Sequence, residues 1–167
     1  MSLEFAIEMK RLELETKKLD VEADVLLDQI EGKVRNRERK EIGYCLECVI
    51  KHLSAAVKYA EEAIDYKRQG RDISPFMKNI VKELEGMRGD ITDDAPEEVL
   101  YIRDRARMIR IAMTRTYMLV GVTTLKDLQD LRNELDKLLD KAIDIQRKMV
   151  KKAGDLTIEI ARALQSL

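Results

Sequence analysis

The residues best equipped for chemistry sit in one short stretch: Cys45, Cys48 and His52, in the order Cys-x-x-Cys-x-x-x-His. They are the only two cysteines and the only histidine of the chain. Two neighbouring thiols can cycle with a disulfide, and a nearby imidazole can move the thiol proton. The same three side chains are ligands for zinc or iron, with Glu41 as candidate fourth. Plain packing is the third reading. A free thiol behaves as a small hydrophobe, and a lone histidine between helices is commonly just hydrogen-bonded. The function expected is that of a structural or interaction module, which a Cys/Cys/His metal site could stabilise, with a small thiol-disulfide or peroxide oxidoreductase as the alternative.

Helix geometry constrains the two chemical readings. On a wheel, Cys45, Cys48 and His52 share a flank with Glu41, Tyr59 and Tyr66, a quarter-turn from the apolar seam. A regular helix separates Cys45 from His52 by ~10.5 Å along its axis, whereas ligands of one zinc come within roughly 4 Å. A disulfide needs Cβ atoms ~3.8 Å apart, closer than mid-helix i,i+3 pairs. Both readings therefore want Cys45 at or before the first turn of a helix, where the N-terminal field favours a thiolate. Gly43 could supply such a start. The apolar pattern runs through Ile42 without a change of phase, which predicts an unbroken helix instead.

The Cys45 to His52 spacing resembles the motif of the alkylhydroperoxidase D / carboxymuconolactone decarboxylase-like family, whose members are all-α. The resemblance implies peroxide reduction by the cysteine pair, with Cys48 attacking the peroxide and Cys45 resolving it. It also implies help from His52 and from a glutamate about a dozen residues before the first cysteine. Position 33 here is Lys, and the nearest acid is Glu31.

Arg103, Arg107 and Arg110 form a second feature, a stripe along one helix face that could hold a phosphate or carboxylate. The competing reading is ion pairing with an acidic neighbour helix. The basic run Arg35 to Lys40 reads as a solvated turn, and no aromatics interleave these basic groups as base stacking would require. A net charge of −1 also weighs against a general nucleic-acid binder. One histidine excludes a di-iron site built from paired Glu-x-x-His motifs. No glycine-rich phosphate loop or dinucleotide fingerprint occurs.

The elements that must position these residues are long helices. Charged residues make up 38% and apolar residues 45% of the 167, with only 2 Pro, a composition that favours amphipathic helices. The pattern predicts an all-α bundle of four to five mostly long amphipathic helices, with heptad-like seams, in one domain over residues 1–167. The first helix spans about Ser2 to Glu31 with a seam through Phe5, Met9, Leu12, Leu19, Ala23, Leu26 and Ile30. The second runs to about Gln69 and closes at Gly70. A short third helix follows Ser74-Pro75, with Ser74 as cap, and Asp94 caps a fourth. The fifth starts near Thr124, with Gly154 as a candidate break. Helices this unequal cannot all bury their seams in one monomer, so a homodimer joined through the longest is expected. No signal peptide and no apolar run long enough for a bilayer is read, which gives a cytoplasmic expectation without membrane contact.

Overall fold

The computed structural model describes residues 3–14, 43–118 and 123–166. They form five helices: α1 Leu3–Leu14, α2 Leu46–Arg68, α3 Ser74–Gly86, α4 Glu97–Met113 and α5 Leu125–Gln165. The chain is an all-α bundle, as expected. Among the described residues the only sheet-like pairing is a single antiparallel bridge, Tyr44 with Ile91. The later part of the first predicted helix lies outside the described residues.

α2 is the centre of the bundle and packs against both α5 and α3. Its seam of Val49, Leu53, Ala56 and Ala60 is fully buried. α5 faces it with Leu128, Leu131, Leu135, Leu138 and Ala142, a heptad of the kind that packs long helices side by side. α1 closes on α4, where Phe5 stacks on Tyr117 at 5.2 Å between ring centroids. The final turns of α4 widen into a π-helical segment, Thr114–Met118.

Four of the predicted helix ends hold to within a few residues, for identifiable reasons. Gly70 adopts φ +69° after α2, a left-handed conformation open to glycine at little cost. Ser74 is already helical. The capping oxygen comes from Asp72, whose Oδ1 accepts the Ser74 N–H at 3.0 Å and its hydroxyl at 2.8 Å. Pro96, not Asp94, precedes the first turn of α4. Proline pushes the residue before it out of the helical region, so the helix cannot start earlier. Thr124 and Asp127 form a reciprocal capping box at the start of α5. Gly154 does not break α5, which is continuous through 41 residues, or ~60 Å.

The buried seam of α5 stops at Ile145. Beyond it Met149, Leu156, Ile160 and Leu164 are 41%, 57%, 53% and 64% exposed. No described helix is long and apolar enough to cross a membrane.

Candidate functional site

The helix predicted to run unbroken through Gly43 does not form at that residue. α2 begins at Leu46, with Cys45 as its N-cap in an extended conformation (φ −122°, ψ 94°). Two features set this start. Gly43 takes φ +74°, which side-chain-bearing residues rarely adopt, and a Cβ there would come 3.0 Å from Thr92 Oγ1. The strand-like segment that follows is clamped to the turn after α3. The Cys45 N–H donates to the Asp90 carbonyl at 2.7 Å, and the Thr92 N–H donates to the Gly43 carbonyl at 2.6 Å. Both bonds flank the Tyr44–Ile91 bridge.

This boundary removes the obstacle to closing the cysteine pair. The two Cα atoms lie 5.3 Å apart and the sulfurs are joined as a disulfide. Cys45 is the residue that leaves the helix, so its side chain can turn back over the first turn. Its Sγ accepts the Cys48 N–H at 3.3 Å, which places the sulfur on the orphan amides of the helix start. Those amides and the helix dipole favour negative charge at Cys45 Sγ when the pair is reduced. Both cysteines are half-buried.

His52 lies one turn beyond Cys48 on the same flank of α2. Its Nδ1–H donates to Glu83 Oε2 at 2.8 Å, and its Nε2 stands 3.4 Å from Asp90 Oδ2. The Asp90 side chain is only 7% exposed, against 30% for His52 and 26% for Glu83. A neutral imidazole can donate to one of these carboxylates; the imidazolium donates to both. Gly86 makes room for the ring, since a Cβ there would fall 2.7 Å from His52 Cε1. Glu83, Gly86 and Asp90 come at i, i+3 and i+7 along α3 and the 3₁₀ turn Met87–Gly89 that follows it.

The structure thus brings Cys45, Cys48 and His52 to one end of the bundle and adds two carboxylates that the sequence reading missed. A carboxylate beside His52 comes from downstream, at Glu83; the upstream positions to which the motif resemblance points, at Glu31 and Lys33, lie outside the described residues. The signal was weak: an acid, a glycine and an acid on one helix face mean little until the facing histidine is known. Among the described residues no group of three or more His, Cys, Asp and Glu side chains is arranged to hold a metal ion. Glu41, the fourth ligand of the zinc or iron reading, lies outside them.

The arginine stripe is engaged by acids. Arg103 bonds Asp93 at 2.7 Å and Asp104 at 3.1 Å, and Arg107 reaches Asp104 at 3.5 Å. Their guanidinium-bearing side chains are only 14% and 11% exposed. Arg110, the third member of the stripe, is half-buried on the same helix. Arg105, off the stripe, meets the fifth helix at Glu134.

Compared with protein-family models, characterised proteins and solved structures, the chain matches none.

Proposed function

We propose that this protein is a thiol oxidoreductase that works through the Cys45–Cys48 pair. The observation that carries this reading is the placement of Cys45 as the N-cap of α2, with its sulfur on the Cys48 N–H. A structural thiol needs no such setting; a nucleophilic one gains from it. In the reduced protein the Cys45 thiolate attacks one sulfur of a substrate disulfide. The substrate S–S bond breaks, one thiolate leaves, and a mixed disulfide forms at Cys45. Cys48 then loses its proton, attacks the Cys45 sulfur and expels the second substrate thiolate. The proton that Cys48 loses passes to the leaving thiolate, and His52, one turn away with its ring nitrogens facing Glu83 and Asp90, orders the flank on which the pair sits. Two electrons pass to the substrate, and an external dithiol restores the pair. A cytoplasmic setting, with its reduced dithiols, suits this cycle.

Peroxides are the second substrate class, supported by the motif resemblance. There the thiolate attacks the O–O bond, an alcohol leaves, and the resulting sulfenic acid condenses with the other thiol to give the disulfide and water. Single-cysteine variants separate the two. With an aryl disulfide, Cys48→Ser should accumulate a mixed disulfide at Cys45 while Cys45→Ser does not. With an alkyl peroxide, a sulfenic acid trapped at Cys48 in Cys45→Ser would favour the peroxide route. No adduct in either variant with either substrate would overturn the proposal.

The exposed stripe of α5 supports a second reading alongside the first, that the chain also serves as an interaction module and forms a homodimer. Met149 and Leu156 continue the seven-residue spacing of the seam, and Ile160 and Leu164 follow at intervals of four on the exposed part of the helix. Most helical stability in proteins comes from packing of an apolar face, which a partner along this stripe would supply.

A further inference from the structure

Asp90 touches both halves of the site through different atoms. Its carbonyl accepts the Cys45 N–H at 2.7 Å, and its buried carboxylate faces His52 Nε2 at 3.4 Å. The turn that carries it is fixed on both sides: the Asp90 N–H donates to Met87, and the Thr92 N–H donates to Gly43. Carbonyl and carboxylate belong to one short residue with little freedom, so a displacement of one carries the other. A buried carboxylate is costly unless matched by a donor, and His52 is one donor placed against this one.

We propose that Asp90 is a positioning residue that makes His52 sense the redox state of the Cys45–Cys48 pair. The disulfide tethers Cys45 to the first turn of α2 in its extended conformation. Reduction removes that tether, leaves a thiol or thiolate to be accommodated at Cys45, and shifts the Cys45 N–H against the Asp90 carbonyl. The carboxylate then moves relative to the imidazole. His52 therefore has a different hydrogen-bonding environment in the two states, although seven positions separate it from Cys45. The inference rests on the thiol reading only in requiring that the pair open and close; it does not require turnover of a substrate.

The single histidine makes the test direct, because the ring nitrogens of His52 are the only imidazole signals in a ¹⁵N spectrum of the full chain. Spectra are recorded for the oxidised protein and after reduction by a phosphine, then through a redox titration. The expected result is that the His52 ring signals differ between the two states and move with the Cys45 amide in one transition. In Asp90→Asn, which keeps the carbonyl and the side-chain shape, the Cys45 amide should still respond while the redox-linked shift of the ring is lost. Identical ring signals in both wild-type states, or an undiminished shift in Asp90→Asn, would overturn the proposal. If Asp90→Asn fails to fold, the wild-type titration decides: separate midpoints for ring and amide refute the coupling. A protein that passes this test but reduces neither disulfides nor peroxides would lose its proposed activity and keep the coupling.

Discussion

Replacing Gly86 by alanine should open the site while leaving the bundle folded. A Cβ at Gly86 would lie 2.7 Å from His52 Cε1, 3.1 Å from Nδ1 and 3.3 Å from Nε2. Carbon atoms pack comfortably at roughly 3.5–4.0 Å, so the overlap approaches an ångström and the ring must move. His52 is 30% exposed and can swing outward, which limits the cost to the contacts it leaves. Those are the 2.8 Å bond to Glu83 and the 3.4 Å approach to Asp90. A charge-assisted bond is worth about 1.5–3 kcal/mol when buried, and partial exposure brings this pair to roughly 1–2. Against it stands a gain of about 0.5 kcal/mol for Gly→Ala near a helix end. The net loss is ~1 kcal/mol, or a fall in Tm of about 2–4 °C for a chain of this size. Gly154→Ala is the control. Nothing lies within 4 Å of that Cβ, and the position is exposed in the middle of a helix. It should stabilise by about 0.5–1 kcal/mol where Gly86→Ala destabilises. Denaturant melts of the two variants, with ring spectra of His52, read both effects. Equal stabilisation by the two substitutions, with His52 unmoved, would refute the reasoning.

Three further outcomes follow from named contacts. The Asp72 carboxyl is held below its ordinary value by the N–H and hydroxyl of Ser74. Its folded-state value is the depressed one, so its contribution is present above the unfolded value and fades as pH falls through the folded one. Asp72→Ala should accordingly be less stable than wild type at neutral pH, with the difference shrinking as acid melts move below the ordinary aspartate range. Arg105 and Glu134 meet at 3.4 Å with side chains 19% and 15% exposed; a double-mutant cycle should give a coupling of about 1 kcal/mol, and additive effects would contradict it. Leu156→Glu and Ile160→Glu should leave the helical signal and melting of the bundle nearly unchanged but convert a dimer to monomer in light scattering, since both side chains are more than half exposed in a single chain.

How much of this was readable from the sequence differs by level. The bundle was readable because residues such as Val49, Leu53 and Ala56 on α2, and Leu128, Leu135 and Ala142 on α5, repeat at helical spacing and are buried. Gly70 and Thr124 announced helix ends through local chemistry, which neighbouring sequence fixes. The start of α2 was not readable. Ile42 and Leu46 keep the helical phase, so periodicity alone runs across Gly43. The break depends on Thr92 and Asp90, nearly fifty positions downstream, which supply the partners of the Gly43 carbonyl and the Cys45 N–H. The same long-range pairing selects the carboxylates of the site. Glu83 and Asp90 look like ordinary acids of a short amphipathic helix until the fold sets them against His52. The three residues Cys45, Cys48 and His52 were found because rare residue types at close spacing need no tertiary information.

Cys45 and Cys48 are proposed to be a working redox couple with Cys45 as the entering sulfur. Its most direct measurement is rapid-quench alkylation of the pre-reduced protein mixed with a limiting aryl disulfide, read by intact and peptide mass spectrometry. Expected are an early mixed disulfide on Cys45, its replacement by the Cys45–Cys48 bond, and full recovery of both thiols when a dithiol is added. Thiols that alkylate at equal, unperturbed rates and never pass through an adduct would contradict it.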